Sequence, residues 1–157
     1  MKRNGVLLVI FSLCICTLII ACVNIYIQSA EGYLLGSKTE VVEVLLQEEL
    51  GTNRVALFYL DEYGSVSCAI LKKHILGYET LRISGKCSIS KPGFLCSYYY
   101  DGSKQFWIAW GLATNNNVTA VFADGKEMNI NQAGAYTYRI CWLIGTGNTP
   151  EHFVEAE

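Results

Sequence analysis

A chain of 157 residues, 52% of them apolar, with 14 acidic residues, 12 basic ones and two histidines, has room for one domain of ordinary size. Lys2 and Arg3 stand apart at the front, so ten basic residues face 14 acidic ones from Ser29 onward and the formal charge there is −4. With no basic run in it, that part excludes nucleic acid as a partner and gives no electrostatic reason to dock on anionic lipid heads.

Residues 1–28 read as a membrane anchor. Met-Lys-Arg-Asn is followed by an uncharged stretch, Gly5 to Ile27. Its run of 22 apolar-type residues from Val6 to Ile27 would make a helix about 33 Å long, enough to cross a hydrocarbon layer of about 30 Å. Lys2 and Arg3 on the short side place the N-terminus in the cytoplasm and the remainder outside. Ile19-Ile20-Ala21-Cys22 has the apolar–apolar–small–Cys order of a lipoprotein cleavage box, in which Cys22 would carry the lipid. The apolar run continues past Cys22 through Val23, Ile25, Tyr26 and Ile27, which favours an uncleaved spanning helix. Two addresses follow: a single-pass membrane protein with its C-terminal domain outside, or a lipid-anchored protein at the outer membrane surface.

Residues 29–38, with Gly32, Gly36 and Ser37, read as a linker before a domain over 39–157. Thr39 has the chemistry of a helix N-cap, Glu40 and Glu43 suit a first helical turn, and Val41, Val44, Leu45 and Glu48 recur by turns. A helix is expected over about 40–50, ended by Gly51. Arg54 to Leu60 is a β-rich apolar run, and Ser65 to Ile75 fits a short helix better than an alternating strand. Tyr78 to Ser84 alternates as a strand does. Two hairpins follow: Phe94–Tyr100 with Gln105–Gly111 across Asp101-Gly102, and Val118–Ala123 with Lys126–Asn131 across Asp124-Gly125. Counting outward from the second turn pairs Val121 with Met128, Thr119 with Ile130 and Phe122 with Glu127. Tyr136 to Ile144 makes a last long strand before Pro150 and an acidic tail. The expected fold is α+β: an N-terminal transmembrane helix, then a mostly antiparallel sheet, as a sandwich or open barrel, with one or two helices.

The titratable inventory favours a non-enzymatic role. His74 follows Lys72-Lys73, and on a short helix it would sit on a different face from Cys68, so no nucleophile–base couple forms. No serine elbow, zinc spacing, calcium loop or phosphate loop is present, and no cofactor or metal is expected. Carboxylates distant in sequence leave a hydrolase acting on envelope material as the alternative. Four cysteines follow the anchor: Cys68, Cys87, Cys96 and Cys141. Cys87 and Cys96 flank the Pro92-Gly93 loop and form the candidate disulfide on local geometry, with buried free thiols the equal alternative. Tyr98, Tyr99, Tyr100, Phe106, Trp107, Trp110, Tyr136, Tyr138 and Trp142 crowd three strands. Most should pack within the sheet, and a remainder could form a recognition face.

Leu71-Lys72-Lys73 through Gly77-Tyr78, Tyr98-Tyr99-Tyr100-Asp101-Gly102, Trp107-Ile108-Ala109-Trp110-Gly111 and Asn117-Val118 resemble small proteins of Gram-positive, Bacillus-like bacteria, over roughly residues 54–145. Such proteins carry one anchor and one extracytoplasmic β-rich domain with no assigned function. The resemblance implies a location and no catalytic residue. The expectation is a membrane-anchored extracytoplasmic interaction or accessory module, with a protein or an envelope component as partner, and with a structural envelope role as a further alternative.

Overall fold

The computed structural model describes residues 2–27, 29–38, 40–51, 53–113, 115, 117–133, 136 and 138–157, and within the first helix it describes the side chains of 10–22. That helix, α1, runs Lys2–Ile27. Over the described side chains the stretch is about 20 Å long, and among the described residues no helix is long and apolar enough to cross a membrane.

Residues expected as a linker form a second helix, α2 (Ala30–Ser37). Ser29 caps it, its Oγ accepting the Gly32 N–H at 2.9 Å. Ala30 and Leu34 are buried in the domain, which is why this short element holds its shape.

Among the described residues twelve strands follow: β1 (Val41–Glu49), β2 (Arg54–Asp61), β3 (Ser65–His74), β4 (Gly77–Ile83), β5 (Cys87–Ser88), β6 (Phe94–Asp101), β7 (Lys104–Leu112), β8 (Ala120–Ala123), β9 (Lys126–Glu127), β10 (Asn129–Gln132), β11 (Arg139–Gly145) and β12 (Phe153–Ala156). They make three sheets, ordered β1-β2-β3-β4 with β5 also on β3, β10-β11-β7-β6, and β12-β8-β9. Every pairing is antiparallel. With the two helices, the class is α+β.

The layers follow from strand alternation. Phe58, Cys68 and Ile70 on one face of the first sheet meet Tyr99, Ile108, Trp110 and Ile140 on the second. Trp110 sits at the centre, its ring edge-on to Phe58 at 5.7 Å. The opposite face of the first sheet, with Val55, Leu57, Ala69 and Leu71, is covered by α2 through Ala30 and Leu34. The opposite face of the second sheet, with Trp107, Ala109 and Cys141, is covered by the small third sheet through Val121 and Ala123. The order is helix, sheet, sheet, small sheet.

Two expected helices are strands, and the layering explains both. β3 is covered on both faces, so Val66 through Leu71 are all buried, the small polar Ser67 among them, and no exposed residue marks the alternation. In β1 the register against β2 shifts between Val41 and Glu43 and again between Val44 and Leu46. Two irregularities in nine residues convert a period of two into a spacing of three or four, which mimics a helix. Thr39, read as that helix's cap, lies outside the described residues.

Both hairpins are present. In the first, Tyr100 lies opposite Gln105 and Asp101 opposite Lys104, so the loop is Gly102-Ser103, one residue later than expected. In the second, Asp124 and Gly125 have φ of 46° and 77°. Positive φ at both positions is the turn that matches strand twist, and glycine adopts it without strain. Phe122 pairs with Glu127 as the count gave, and the Met128 N–H donates to the Val121 carbonyl at 2.7 Å. Thr119 does not meet Ile130. β10 leaves for the second sheet, where Ile130 pairs with Cys141, and the Thr119 N–H donates to Ala156. The acidic tail therefore contains β12, which completes the third sheet.

Candidate interaction surface

β4 ends the strand order of the first sheet and β6 ends that of the second, and the two strands lie beside one another. Between them lies a shallow cavity of about 310 Å³, lined by Leu81 and Arg82 of β4 and by Cys96 through Tyr100 of β6. Alternation on β6 sets its chemistry. Ser97 and Tyr99 turn inward and are buried, while Tyr98 and Tyr100 are exposed. The Tyr100 hydroxyl donates to Gln105 Oε1 at 3.2 Å, and the Tyr98 hydroxyl lies 3.2 Å from Thr149 Oγ1. Tyr99 stacks on Phe106 at 5.4 Å, and burial pushes its phenol pKa up against the opposing pull of Arg54.

One end of the slot is tied by charge. Asp101 Oδ1 is 2.6 Å from Lys72 Nζ, and Asp101 Oδ2 is 3.7 Å from Arg54 Nε. Lys72, then Arg54, hold this carboxyl below its ordinary pKa. The Arg54 guanidinium also lies 4.5 Å from the Phe106 ring centre, so one cation links both sheets.

The aromatic crowd is mostly internal. Tyr99, Trp107 and Trp110 are buried, Tyr136, Tyr138 and Trp142 are half-buried, and Tyr98 and Tyr100 remain for recognition. The edge position of β4, which contributes Arg82, was not legible, because sequence does not say which strand ends a sheet.

The other singled-out residues are spread apart. Cys68 and His74 both lie on β3, about 20 Å apart at the usual strand rise. His74 Nε2 is 3.0 Å from Glu79 Oε1. Cys87 and Cys96 are free thiols. Cys87 belongs to the layer between the large sheets, where its thiol donates to the Gly93 carbonyl, and Cys96 packs in the layer under the third sheet. Burial pushes all four domain thiols up, Cys141 to about 12, and so disfavours their thiolate forms. Cys22 is an exposed free thiol on α1.

Asp61 and Asp124 have structural partners. Asp61, 2% exposed, accepts the N–H groups of Tyr63 and Ser65 and lies 2.7 Å from Lys86 Nζ. Asp124 accepts the N–H groups of Glu151 and His152. Among the described residues no group of three or more His, Cys, Asp or Glu side chains gathers as a metal-ligand set. Edge strands carry unpaired ladder groups, so what this surface can do chemically is add an extended chain beside exposed phenols and a guanidinium.

No family model matches this chain, and neither a curated protein nor a solved structure matches it.

Proposed function

We propose that this chain is an interaction module held at the outer face of a membrane by α1, with the slot between β4 and β6 as its binding surface for an extended segment of a partner protein. The observation that carries the anchor is the exposure of every described side chain of α1 from Ile10 to Cys22, on all sides of the helix. Apolar side chains exposed all round a helix require a lipid or protein environment. Thr17 supports this, since its hydroxyl donates to the backbone carbonyls of Leu13 and Cys14 at 3.1 and 2.9 Å and leaves no donor to be desolvated. Lys2 and Arg3 give the orientation. The spanning helix is preferred to a lipid on Cys22 because the α1 backbone continues through Cys22 to Ile27 without a break.

Fractionation and surface proteolysis of intact cells test the reading. The chain should resist extraction at alkaline pH, and external protease should trim the β-rich domain. Release at alkaline pH, or protection from protease until lysis, overturns the anchor or its orientation. For the slot, a photo-crosslinking side chain at Tyr100 should capture a partner that the same side chain at Tyr63, on the β2–β3 turn, does not. Equal capture from both positions removes the slot from the proposal.

A further inference from the structure

The β3–β4 hairpin turns through Ile75 and Leu76, which are 98% and 92% exposed, the two most exposed large apolar side chains of the domain. A two-residue tip of Ile-Leu is a poor choice for water, since turns favour Gly, Asn, Asp and Ser. Three observations say what covers it.

The first is projection. The Lys73 N–H donates to the Asn53 carbonyl at 2.7 Å, so Asn53 lies level with Lys73. Lys72 Nζ holds Asp101, so β6 ends and the Gly102-Ser103 turn begins at this same end of the domain. Ile75 and Leu76 therefore stand about two residues, or about 7 Å, beyond the level of Asn53. That matches the depth of about 5–10 Å at which apolar side chains rest below lipid headgroups.

The second is the path of the chain. The end of α2 lies by Ser67, Ser84 and Lys86, far along β3 from the tip. Its first turn lies near the tip: the Tyr33 ring is 6.3 Å from Tyr78, and the Tyr33 hydroxyl is 3.5 Å from Thr80 Oγ1. Tyr78 is the cross-strand partner of Lys73. The chain thus leaves α1 for α2 at the same end of the domain at which Ile75 and Leu76 project.

The third is composition. Behind the tip come Lys73, His74 and the half-buried pair Tyr33 and Tyr78. Amphipathic tyrosines and a long lysine stem are the side chains suited to a membrane–water boundary. His74 is engaged by Glu79, and Lys73 beside it is exposed.

We propose that Ile75 and Leu76 insert into the same bilayer that α1 enters, as a second contact that fixes how the domain stands on the membrane. This rests on the anchor reading above. It sets the first sheet upright, with the slot between β4 and β6 opening sideways along the membrane surface.

The test is tryptophan quenching by brominated acyl chains, with the full chain reconstituted in phosphatidylcholine–phosphatidylglycerol vesicles. Three variants are compared with the unsubstituted chain, whose own tryptophans supply the background: Leu18→Trp in α1, Leu76→Trp at the tip and Tyr63→Trp on a turn at the other end of β3. The added emission should be lost for Leu18→Trp and for Leu76→Trp and kept for Tyr63→Trp. Quenching of Leu18→Trp without Leu76→Trp overturns the tip contact and leaves the anchor standing. No quenching of Leu18→Trp overturns the anchor and the tip contact with it. Quenching of all three indicates general adsorption and also overturns it.

Discussion

Gly145→Ala adds one methyl group to a central strand, and the structure allows its effect to be worked out. Gly145 lies opposite Trp107, whose ring covers the glycine. A Cβ there would come within 2.7 Å of Cε2 and 2.8 Å of Cη2, and closer still to Cζ2. Carbon atoms rest at about 3.5–4.0 Å, so the ring must retreat by about 1 Å. Trp107 is 3% exposed and packed in the layer beneath the third sheet, so there is little space to retreat into. Overpacking of this kind costs about 1–3 kcal/mol. The reduced freedom of the unfolded chain returns about 0.4–1 kcal/mol. The net loss should be about 1–2 kcal/mol, or a fall in Tm of about 3–8 °C for a domain of this size. Calorimetry measures it, and a Trp107→Leu background supplies the control. With the indole gone, Gly145→Ala should be neutral or slightly stabilising, a coupling of about 1–2 kcal/mol. An equal loss in both backgrounds, or none in the wild type, refutes the argument that the ring sets the requirement for glycine.

Three further outcomes are expected. Gly125→Val places a β-branched residue at φ 77° in the second hairpin turn and should lower stability by about 1 kcal/mol or more; an unchanged melting midpoint would show that the turn tolerates a side chain. Burial alone would raise the Asp61 pKa, but Lys86 and the Ser65 and Tyr63 N–H groups outweigh it and hold the carboxyl below its ordinary 3.8. Its contribution is therefore complete well above pH 3.8 and is lost as pH falls through the lower folded value; the Tm gap between wild type and Asp61→Asn should narrow on acidification, and a gap independent of pH contradicts the ion pair. Cys22→Ser should leave mass, apart from the substitution, and membrane retention unchanged, and fatty-acid labelling that disappears in the variant would establish the lipid instead.

What the sequence made legible was what local chemistry decides. Asp124-Gly125 specified a turn and, through it, the pairing of Phe122 with Glu127. Tyr78 to Ser84 alternates because β4 is an edge strand with one solvated side. Where tertiary structure covers both faces, the signal vanishes, as in β3, and where bulges interrupt the ladder it inverts, as in β1. β12 was hidden because Phe153-Val154-Glu155-Ala156 is too short and acidic to announce a strand, and only β8 gives it a place. α2 was hidden by two glycines that its packing against the first sheet overrides. At the candidate surface, alternation could divide Tyr98 and Tyr100 from Tyr99, but the juxtaposition of Arg82 with them depends on two sheets meeting. Ile75 closes a run whose spacing suits a helix, where one more aliphatic is ordinary, and neither it nor Leu76 is a residue type that announces a turn.

The departure of the chain at Met128 has a consequence for how the domain comes apart. Residues 126–127 belong to the third sheet and 129–132 to the second, with one buried methionine between them. The second sheet lends one face to the central layer and the other to the outer layer, and the first sheet is shared in the same way with α2. Each large sheet is therefore part of two apolar layers, so the loss of either sheet exposes both of its layers at once. Heat and denaturant should find a single cooperative unit, and circular dichroism and tryptophan emission should report the same transition midpoint.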